Sequence, residues 1–322
     1  MSDLITICLP TYRRPTLLSQ CLHSCLAQDY RPLEIDVADS SPNGDTRNLV
    51  EAITPPEGIR LRYRHLPPST EPQAKVNRLF AEARGRRLVV IHDDDCFLPG
   101  AVSALAAGFS LAPEVVLAYG REQIISEAGE VLPEETRAWE AEAWRTPDQT
   151  GLRRDLLVCA LARQVPVNGF LIGSDVMRRI GYRPRAEIGL AEDTDFGIRL
   201  AQAYRGTGAF AVLERQTTQR RYLQSSLGWT APDTCWQLFD EVAAMEGLSP
   251  EEERARAWTL GRCARAALRE NALGGRRRAA LRVFLSRYYP RSEEGAARTL
   301  YSLGLLAAPQ AARALRRLAG AG

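Results

Sequence analysis

The 322-residue chain has no long run of apolar residues, which excludes a membrane-spanning helix from the sequence prediction. The longest candidate, 303–308, is stopped by Pro309. The amino terminus reaches Pro10 almost at once and has neither the basic segment nor the apolar stretch of a signal peptide. We therefore expect a cytoplasmic protein, either soluble or held peripherally at the inner face of the plasma membrane.

Paired cysteines are also absent. The seven cysteines have no CxxC spacing, which indicates free thiols in a reducing compartment. Cys21 and Cys25 are four residues apart, but a zinc site would need two further ligands nearby, so we predict that both thiols pack in the core.

Glycine is missing from residues 9–14, directly after the first apolar run. This absence excludes the GxGxxG fingerprint of a dinucleotide-dependent oxidoreductase. The same stretch contains no aspartate for a haloacid-dehalogenase phosphatase and no glycine-rich turn of the kind found in nucleotidyltransferases.

Lysine is almost absent, since Lys75 is the only lysine among 42 basic residues. The net charge of +3 is unevenly distributed: residues 251–322 hold 15 Arg and 6 Glu, a balance of +9, which leaves −6 for residues 1–250. The basic region is interpreted as a solvated helix face, with contact to an anionic membrane surface, an acidic partner or a second copy of the chain as alternatives.

Short apolar runs alternate with amphipathic stretches through the first half of the chain. The runs predict strands at 4–9, 33–38, 59–65, 88–92, 115–119, 167–173 and 209–213, with helices at 15–28, 45–53, 73–84, 99–110 and 192–204. This order predicts an α/β fold with a mostly parallel sheet flanked by helices. We predict that the polar stretch 215–221 is a loop and that residues from 229 onward are all helical.

The most informative feature is the run Asp93, Asp94 and Asp95, which follows the apolar stretch 88–91. Adjacent carboxylates repel one another and are costly to desolvate, so a strand end keeps them mainly when a cation offsets their charge. Mg²⁺ or Mn²⁺ is the expected cation, and because such ions usually take only one or two carboxylates, a phosphorylated ligand is implied. A solvated acidic turn is the alternative for the triplet taken alone.

Five segments, in order, resemble the family 2 glycosyltransferases of the GT-A fold. The opening 5–15 is similar to the family's first strand and PTYNRP turn, 37–42 stands at its VVDDGS segment, and 76–85 resembles the helix before its metal motif. Residues 92–100 resemble the DxDD-xxx-PG segment, and 189–195 resemble the "ED" helix. The resemblance implies a Rossmann-like GT-A domain at 1–228, followed by a helical region at 229–322 that it does not cover. Residues 133–165 are rich in Glu, Trp and Arg with little strand pattern, and we interpret them as an insertion on the acceptor side.

The resemblance implies an inverting, metal-assisted glycosyltransferase of the hexosyltransferase type. It would move a sugar from a nucleotide-diphosphate donor, with UDP-sugars favoured, to a hydroxyl acceptor. Asp94 and Asp95 are the implied ligands of Mn²⁺ or Mg²⁺, Asp193 is the implied catalytic base, and Glu192 and Asp195 are implied to bind the acceptor. The implied donor-binding residues are Pro10, Thr11, Tyr12, Arg13, Asp39, Asn77, Arg78, Asp93, Arg220 and Arg221.

These residue types suit that chemistry. Breaking a glycosyl phosphate bond builds negative charge on the nucleoside diphosphate, which a cation stabilises. Asp39 can accept a hydrogen bond from a pyrimidine N3–H, and Arg220 and Arg221, in a mobile loop, would donate to the diphosphate. Lys75 and Arg78 share a helix face, for which we favour a surface position.

Two departures from the family pattern favour an alternative, a non-catalytic sugar-nucleotide-binding or scaffold protein with a degenerate site. His92 replaces the first acid of the metal motif, and Gln224 stands where the family often has a metal-binding histidine. A third departure, Ser40 in place of a second aspartate, leaves uracil recognition to Asp39 alone. The expected acceptor is a glycan, a lipid-linked glycan or a small metabolite, in cell-surface glycan or glycolipid biosynthesis. We expect no nucleic acid partner.

Overall fold

The computed structural model describes residues 3–222, 236–291 and 296–311. The chain divides into two compact units: the first contains 1–183 and 196–224, and the second contains 184–195 and 225–322. The predicted domain boundary at 228 and Gln224 both lie outside the described residues. The segment 184–195 groups with the second unit, although its place in the sequence predicts the first domain.

The described part of the first unit is built on one sheet of nine strands. They are β1 Ile5–Thr11, β2 Leu33–Asp39, β3 Ile59–His65, β4 Arg87–Val90, β5 Cys96–Phe97, β6 Val115–Ile125, β7 Gly151–Arg153, β8 Phe170–Gly173 and β9 Ala209–Arg221. Their order is β3-β2-β1-β4-β8-β6-β9-β5, with β7 paired to β9. Strands β5, β7 and β8 run opposite to the other six, so the predicted mostly parallel α/β sheet is confirmed.

Helices of the first unit flank this sheet. They are α1 Pro15–Leu26, α2 Asp45–Glu51, α3 Pro72–Glu82, α4 Ala101–Phe109, α5 Pro133–Glu142, α6 Leu156–Leu161 and α7 Ser174–Ile180, with the part of α9 Glu192–Ala203 that begins at Phe196. The short helix α8 Arg185–Ile188 and the first turn of α9 belong to the second unit. In α1, Pro15 suits the first turn, and Leu18, Cys21, Leu22 and Cys25 recur at helical spacing and are buried. Both thiols therefore pack in the core, as predicted.

The predicted loop at 215–221 is wrong, because β9 continues to Arg221. β6 likewise extends from the predicted end at Tyr119 to Ile125, and residues 121–125 pair with 216–221 in parallel. These backbone groups are satisfied by the sheet although the side chains are polar, and Thr217 and Thr218 are buried. This part of β9 has no apolar pattern, because it lies at the end of the sheet where polar side chains gather.

The segment 133–165 holds α5, a short 3₁₀ turn, β7 and α6, and it supplies half of a fully buried ion pair. Arg145 pairs with Glu122 on β6, and the Trp139 indole N–H donates to the same carboxylate at 2.8 Å. Burial raises the pKa of Glu122, but the charges of Arg145 and Arg220 and the indole hydrogen bond outweigh it, so the pKa lies below its ordinary value.

In the second unit the described residues beyond 235 form four helices. They are α10 Trp236–Ala243, α11 Pro250–Leu273, α12 Arg277–Leu285 and α13 Ala296–Ala307. A capping box starts α11, where Ser249 accepts from the Glu252 N–H and the Glu252 side chain accepts from the Ser249 N–H. None of the helices in the described ranges has the length and hydropathy needed to cross a bilayer.

We predict that Arg145→Met lowers the free energy of unfolding by about 3–5 kcal/mol, because it leaves the buried Glu122 carboxylate without its cation. Urea unfolding followed by tryptophan fluorescence measures the loss. The matched control is Arg154→Met, which breaks the solvent-exposed pair with Glu114 and is expected to leave the free energy of unfolding nearly unchanged. Equal losses in the two variants would contradict the prediction.

Candidate functional site

An acidic turn, residues 92–95, follows β4 at the carboxyl end of the parallel strands. The Asp95 N–H donates to the His92 carbonyl oxygen at 3.2 Å and closes the turn, and the Cys21 thiol of α1 donates to the same oxygen at 3.4 Å. Strand β1 lies beside β4, so its last residue, Thr11, ends at the same edge. Ligands of such sheets bind at this edge.

Asp93 joins the acidic turn to β1. Its carboxylate is buried and accepts from the Thr11 hydroxyl at 2.7 Å and from the Tyr12 N–H at 3.4 Å. Burial and the neighbouring Asp94 charge raise the pKa of Asp93 above its ordinary value. These contacts give Asp93 a positioning role at the centre of the predicted donor site.

Asp94 is held by an arginine that sequence reasoning missed. Arg14 Nη1 donates to Asp94 Oδ2 at 2.7 Å and lies 3.5 Å from Asp93 Oδ1. The Asp94 side chain is 13% exposed, more than that of Asp93 at 8%. The sequence offered one signal for this contact, which is the position of Arg14 immediately before Pro15, the first residue of α1.

Asp95 is the most deeply enclosed acid of the turn. It accepts from the Asn168 side-chain amide and, at 2.8 Å, from the Arg221 backbone N–H. Next to Asn168, Gly169 has a φ of +72° and packs so closely on Thr218 that a side chain would not fit. Burial, reinforced by the Asp94 charge, raises the pKa of Asp95 to about 7.

His92, Asp94 and Asp95 can hold a divalent cation. One donor atom from each lies within 4.8 Å of the others, so an ion placed among them can be reached by all three. Two carboxylates and an imidazole suit Mn²⁺, and the Asn168 Oδ1 atom, which is buried without a hydrogen-bond partner, adds an oxygen close by. Asp94 and Asp95 were predicted ligands, whereas His92 was not.

Asp39 ends β2 and is fully buried. Its two oxygens accept from the Ser41 N–H at 2.7 Å and from the Tyr63 hydroxyl at 2.9 Å. Burial and the hydrogen bond to Asp39 raise the pKa of Tyr63 to about 12, so the phenol remains a donor. Each carboxylate oxygen has a second lone pair and can accept one further hydrogen bond.

The turn after β1 presents an aromatic ring near two cations. Tyr12 is 41% exposed, with the Arg13 guanidinium 5.1 Å and the Lys75 ammonium 5.6 Å from its ring centre. Lys75 Nζ also donates to the Thr11 carbonyl oxygen at 2.7 Å. The favoured surface position is therefore wrong for Lys75, which is buried with a pKa lowered by that burial.

Two other predicted donor-binding residues make contacts within the protein instead. The Asn77 amide donates to the Tyr182 carbonyl oxygen at 2.7 Å and accepts from the Tyr182 N–H at 2.8 Å. Arg78 is exposed and pairs with Glu82 one turn along α3 at 2.8 Å. The described contacts of both residues thus serve α3 and its neighbours.

Arg221 holds the acidic turn in place. Its Nε donates to the Asp94 carbonyl oxygen at 3.0 Å, Nη1 to the carbonyl oxygens of Ser126 and Glu127, and Nη2 to Gln20 Oε1 at 2.7 Å. The guanidinium is therefore committed to the protein. This contradicts the interpretation of Arg221 as an arm of a mobile loop.

Arg220 differs from its neighbour. Its guanidinium lies 4.3 Å from the centre of the Trp139 ring, and its Nη1 atom is buried without a hydrogen-bond partner. Its charge also lowers the pKa of Asp95 to some extent. Of the two predicted diphosphate-binding arginines, Arg220 keeps the uncommitted donor.

Three acids occupy the first turn of α9, as predicted: Glu192, Asp193 and Asp195. The helix N-terminus favours negative charge there. Asp195 is buried, and its N–H donates to the Ala191 carbonyl oxygen at 2.8 Å. All three acids belong to the second unit, so the approach of Asp193 to the acidic turn stays a prediction.

Comparisons with known sequences support the motifs. The sequence model described as "Glycosyl transferase family 2" matches residues 6–161. The "GalNAc(5)-diNAcBac-PP-undecaprenol beta-1,3-glucosyltransferase" of Campylobacter jejuni is 28% identical over 101 residues, 31% of this chain and 33% of its own. "Uncharacterized protein MT1568" of Mycobacterium tuberculosis is 30% identical over 128 residues, 38% of each chain. The matches span little more than a third of these curated relatives.

Solved structures share the fold. S. aureus TarS 1–349 in complex with UDP-GlcNAc has a TM-score of 0.61 at 14% identity, covering 87% of this chain and 79% of that chain. The mannosyltransferase PcManGT from Pyrobaculum calidifontis, in complex with GDP-Man and Mn²⁺, has a TM-score of 0.55 at 16% identity. The match covers 99% of this chain and 88% of that chain. At these identities the likeness shows the fold alone.

We predict that Asp95→Asn stabilises the metal-free protein more at pH 8 than at pH 5. In the wild type the Asp95 pKa is about 7, against an ordinary 3.8, so between these values the folded state keeps a proton that the unfolded state has lost. Stability therefore falls as pH rises from about 4 to about 7, and a neutral amide removes this loss.

Thermal unfolding in EDTA measures the effect, with a gain at pH 8 that exceeds the gain at pH 5 by about 1–3 kcal/mol. Asp175→Asn, an exposed acid at the start of α7, is the control and should show no such pH dependence. A gain for Asp95→Asn that is the same at both pH values, or a loss at both, would contradict the prediction.

Proposed function

Because residues 6–161 place the chain in glycosyl transferase family 2, we propose that it is an inverting, metal-assisted transferase of the hexosyltransferase type. It takes a sugar from a nucleotide-diphosphate donor, with UDP-sugars favoured, and passes it to a hydroxyl acceptor. The observation that carries this proposal is the convergence of His92, Asp94 and Asp95 on one cation position at the carboxyl edge of the sheet.

Different residues around that position would contact the cation and the phosphates of the donor. His92, Asp94 and Asp95 would hold Mn²⁺ or Mg²⁺, which when bound offsets the charge that develops on the diphosphate leaving group. Arg14, already 2.7 Å from Asp94, is placed to donate to the same phosphates, and the uncommitted Nη1 of Arg220 is a second donor.

The nucleoside would lie over the ends of β1 and β2. The exposed Tyr12 ring offers a face for stacking, and its two flanking cations hold it. Asp39, whose two oxygens are oriented by the Ser41 and Tyr63 donors, would accept from the base N3–H. Ser40 does not supply a second carboxylate, so recognition of uracil rests on Asp39.

Asp193 is proposed as the base that takes the proton of the acceptor hydroxyl, with Glu192 and Asp195 orienting the acceptor. Attack from the side opposite the leaving group inverts the anomeric carbon in a single displacement. A glycan, lipid-linked glycan or small metabolite would be the acceptor, in cell-surface glycan or glycolipid biosynthesis at the cytoplasmic side of the plasma membrane.

A non-catalytic sugar-nucleotide-binding protein is the second candidate. The observation that favours it is the Arg14–Asp94 ion pair, which already neutralises the most exposed acid of the turn without a metal. The two candidates differ in turnover, since a binding protein holds the donor but does not cleave it.

We predict that Asp193→Asn lowers transfer by at least about 100-fold while donor affinity stays within twofold, because a base acts on the acceptor and not on the donor. Donor affinity by calorimetry and transfer by product analysis are the paired measurements. Glu187→Gln, an exposed acid of α8 in the same unit, is the control and should keep its activity. Turnover in Asp193→Asn comparable to that of the wild type would remove Asp193 from this role.

We predict that Mn²⁺ raises both donor binding and slow donor hydrolysis, and that Asp94→Asn abolishes the Mn²⁺-dependent part of each. Metal binding is measured directly by the loss of the free Mn²⁺ electron paramagnetic resonance signal. The control Asp175→Asn should behave as the wild type. Tight donor binding with no hydrolysis at any Mn²⁺ concentration would favour the non-catalytic candidate.

A further inference from the structure

Helix α12 in the second unit has apolar side chains on its solvent-facing side. Leu281 and Leu285 lie one turn apart and are 47% and 64% exposed, whereas Ala280 and Val283 on the opposite side are fully buried. The buried pair attaches the helix to its unit. The two leucines therefore contribute little to the fold of the described residues.

The next helix repeats this arrangement. On α13, Leu300 and Leu303 are exposed, and Ser302 and Leu305 on the other side are buried. Of the eight large hydrophobic side chains classed as exposed in the described residues, four lie on these two short helices. Exposed leucines are therefore more frequent on these two helices than in the rest of the described residues.

Arginines flank the exposed leucines of α12. At about 100° per residue, Arg277 lies on one side of the pair and Arg278 and Arg282 on the other, and all three are exposed. Residues 271–292 contain six arginines and no acidic residue. Among the ion pairs of the described residues none involves these three arginines, although Arg282 acts electrostatically on Asp240.

We propose that this face of α12, formed by Arg277, Arg278, Leu281, Arg282 and Leu285, docks onto an anionic phospholipid surface. The leucines enter the boundary between headgroups and acyl chains, and the flanking arginines pair with lipid phosphates. Charge decides against a second copy of the chain as the occupant, because a two-fold contact would bring the same arginines of both copies together.

The proposal rests on the second unit alone. The full-length chain is mixed with vesicles of phosphatidylcholine, or of phosphatidylcholine with a quarter phosphatidylglycerol, and binding is followed by co-sedimentation. We expect binding to the anionic vesicles only, weakened by added salt. Arg277→Gln/Arg278→Gln/Arg282→Gln should lower the affinity by roughly fivefold per arginine, and Leu281→Glu/Leu285→Glu by at least about tenfold.

Matched controls come from exposed residues of the first unit. Arg60→Gln/Arg84→Gln/Arg86→Gln removes the same charge, and Leu111→Glu alters a leucine of similar exposure, 61%. Both should bind vesicles as the wild type does, and circular dichroism should show every variant folded.

The proposal is overturned if the wild type does not bind anionic vesicles. It is equally overturned if the control triple arginine variant loses as much affinity as the triple arginine variant of α12. It is also overturned if Leu281→Glu/Leu285→Glu converts a dimer to a monomer on size-exclusion chromatography and leaves vesicle binding unchanged. Hydrolysis of a soluble donor does not require vesicles, so a failure here leaves the proposed sugar transfer standing, and the reverse also holds.

Discussion

Negative charge gathered at the end of one buried strand is the constraint on which the first unit depends. The carboxylates at 93–95 cannot leave water together unless donors and cations meet their oxygens. Four segments supply these groups: Thr11 ends β1, Arg14 precedes α1, Asn168 precedes β8 and Arg221 ends β9. The site is therefore built by four segments that meet at the carboxyl edge of the sheet. Their donors and the Arg14 guanidinium offset part of its negative charge, and the rest is available to a cation.

The same edge brings together two chemically different environments of the proposed donor site. Around β4 the groups are charged and suited to a cation and phosphates, whereas around β1 and β2 they are an aromatic ring and an enclosed carboxylate, which suit a nucleobase. Thr11 lies between the two, with its hydroxyl on Asp93 and its carbonyl oxygen on Lys75. A displacement of β1 would disturb both halves together, which explains why the turn after this strand is so heavily bonded.

Local patterns predicted most of the fold, because apolar runs and helical spacing report burial within a few residues. They also located the acidic run at the end of a buried strand, since adjacent carboxylates are visible in the sequence. They missed contacts between residues that are distant in the sequence. The buried Lys75 donates to the Thr11 carbonyl oxygen, and Asn77 donates to the Tyr182 carbonyl oxygen. Arg14 forms an ion pair with Asp94. The end of β9 was missed because a polar strand at a functional edge has no apolar signal.

The hydrogen bonds of Arg221 constrain the order in which the first unit folds. Its bonds reach Asp95 across 126 positions and Gln20 across 201, so the loop that they close is nearly as long as the first unit. Contacts of such high sequence separation form slowly and late. During synthesis, a nascent chain that has emerged only as far as residue 161 already contains the whole family match, yet it lacks both Asn168 and Arg221. Thr11 and Arg14 are already available to Asp93 and Asp94 at that stage, but Asp95 does not have both of its donors until β9 leaves the ribosome.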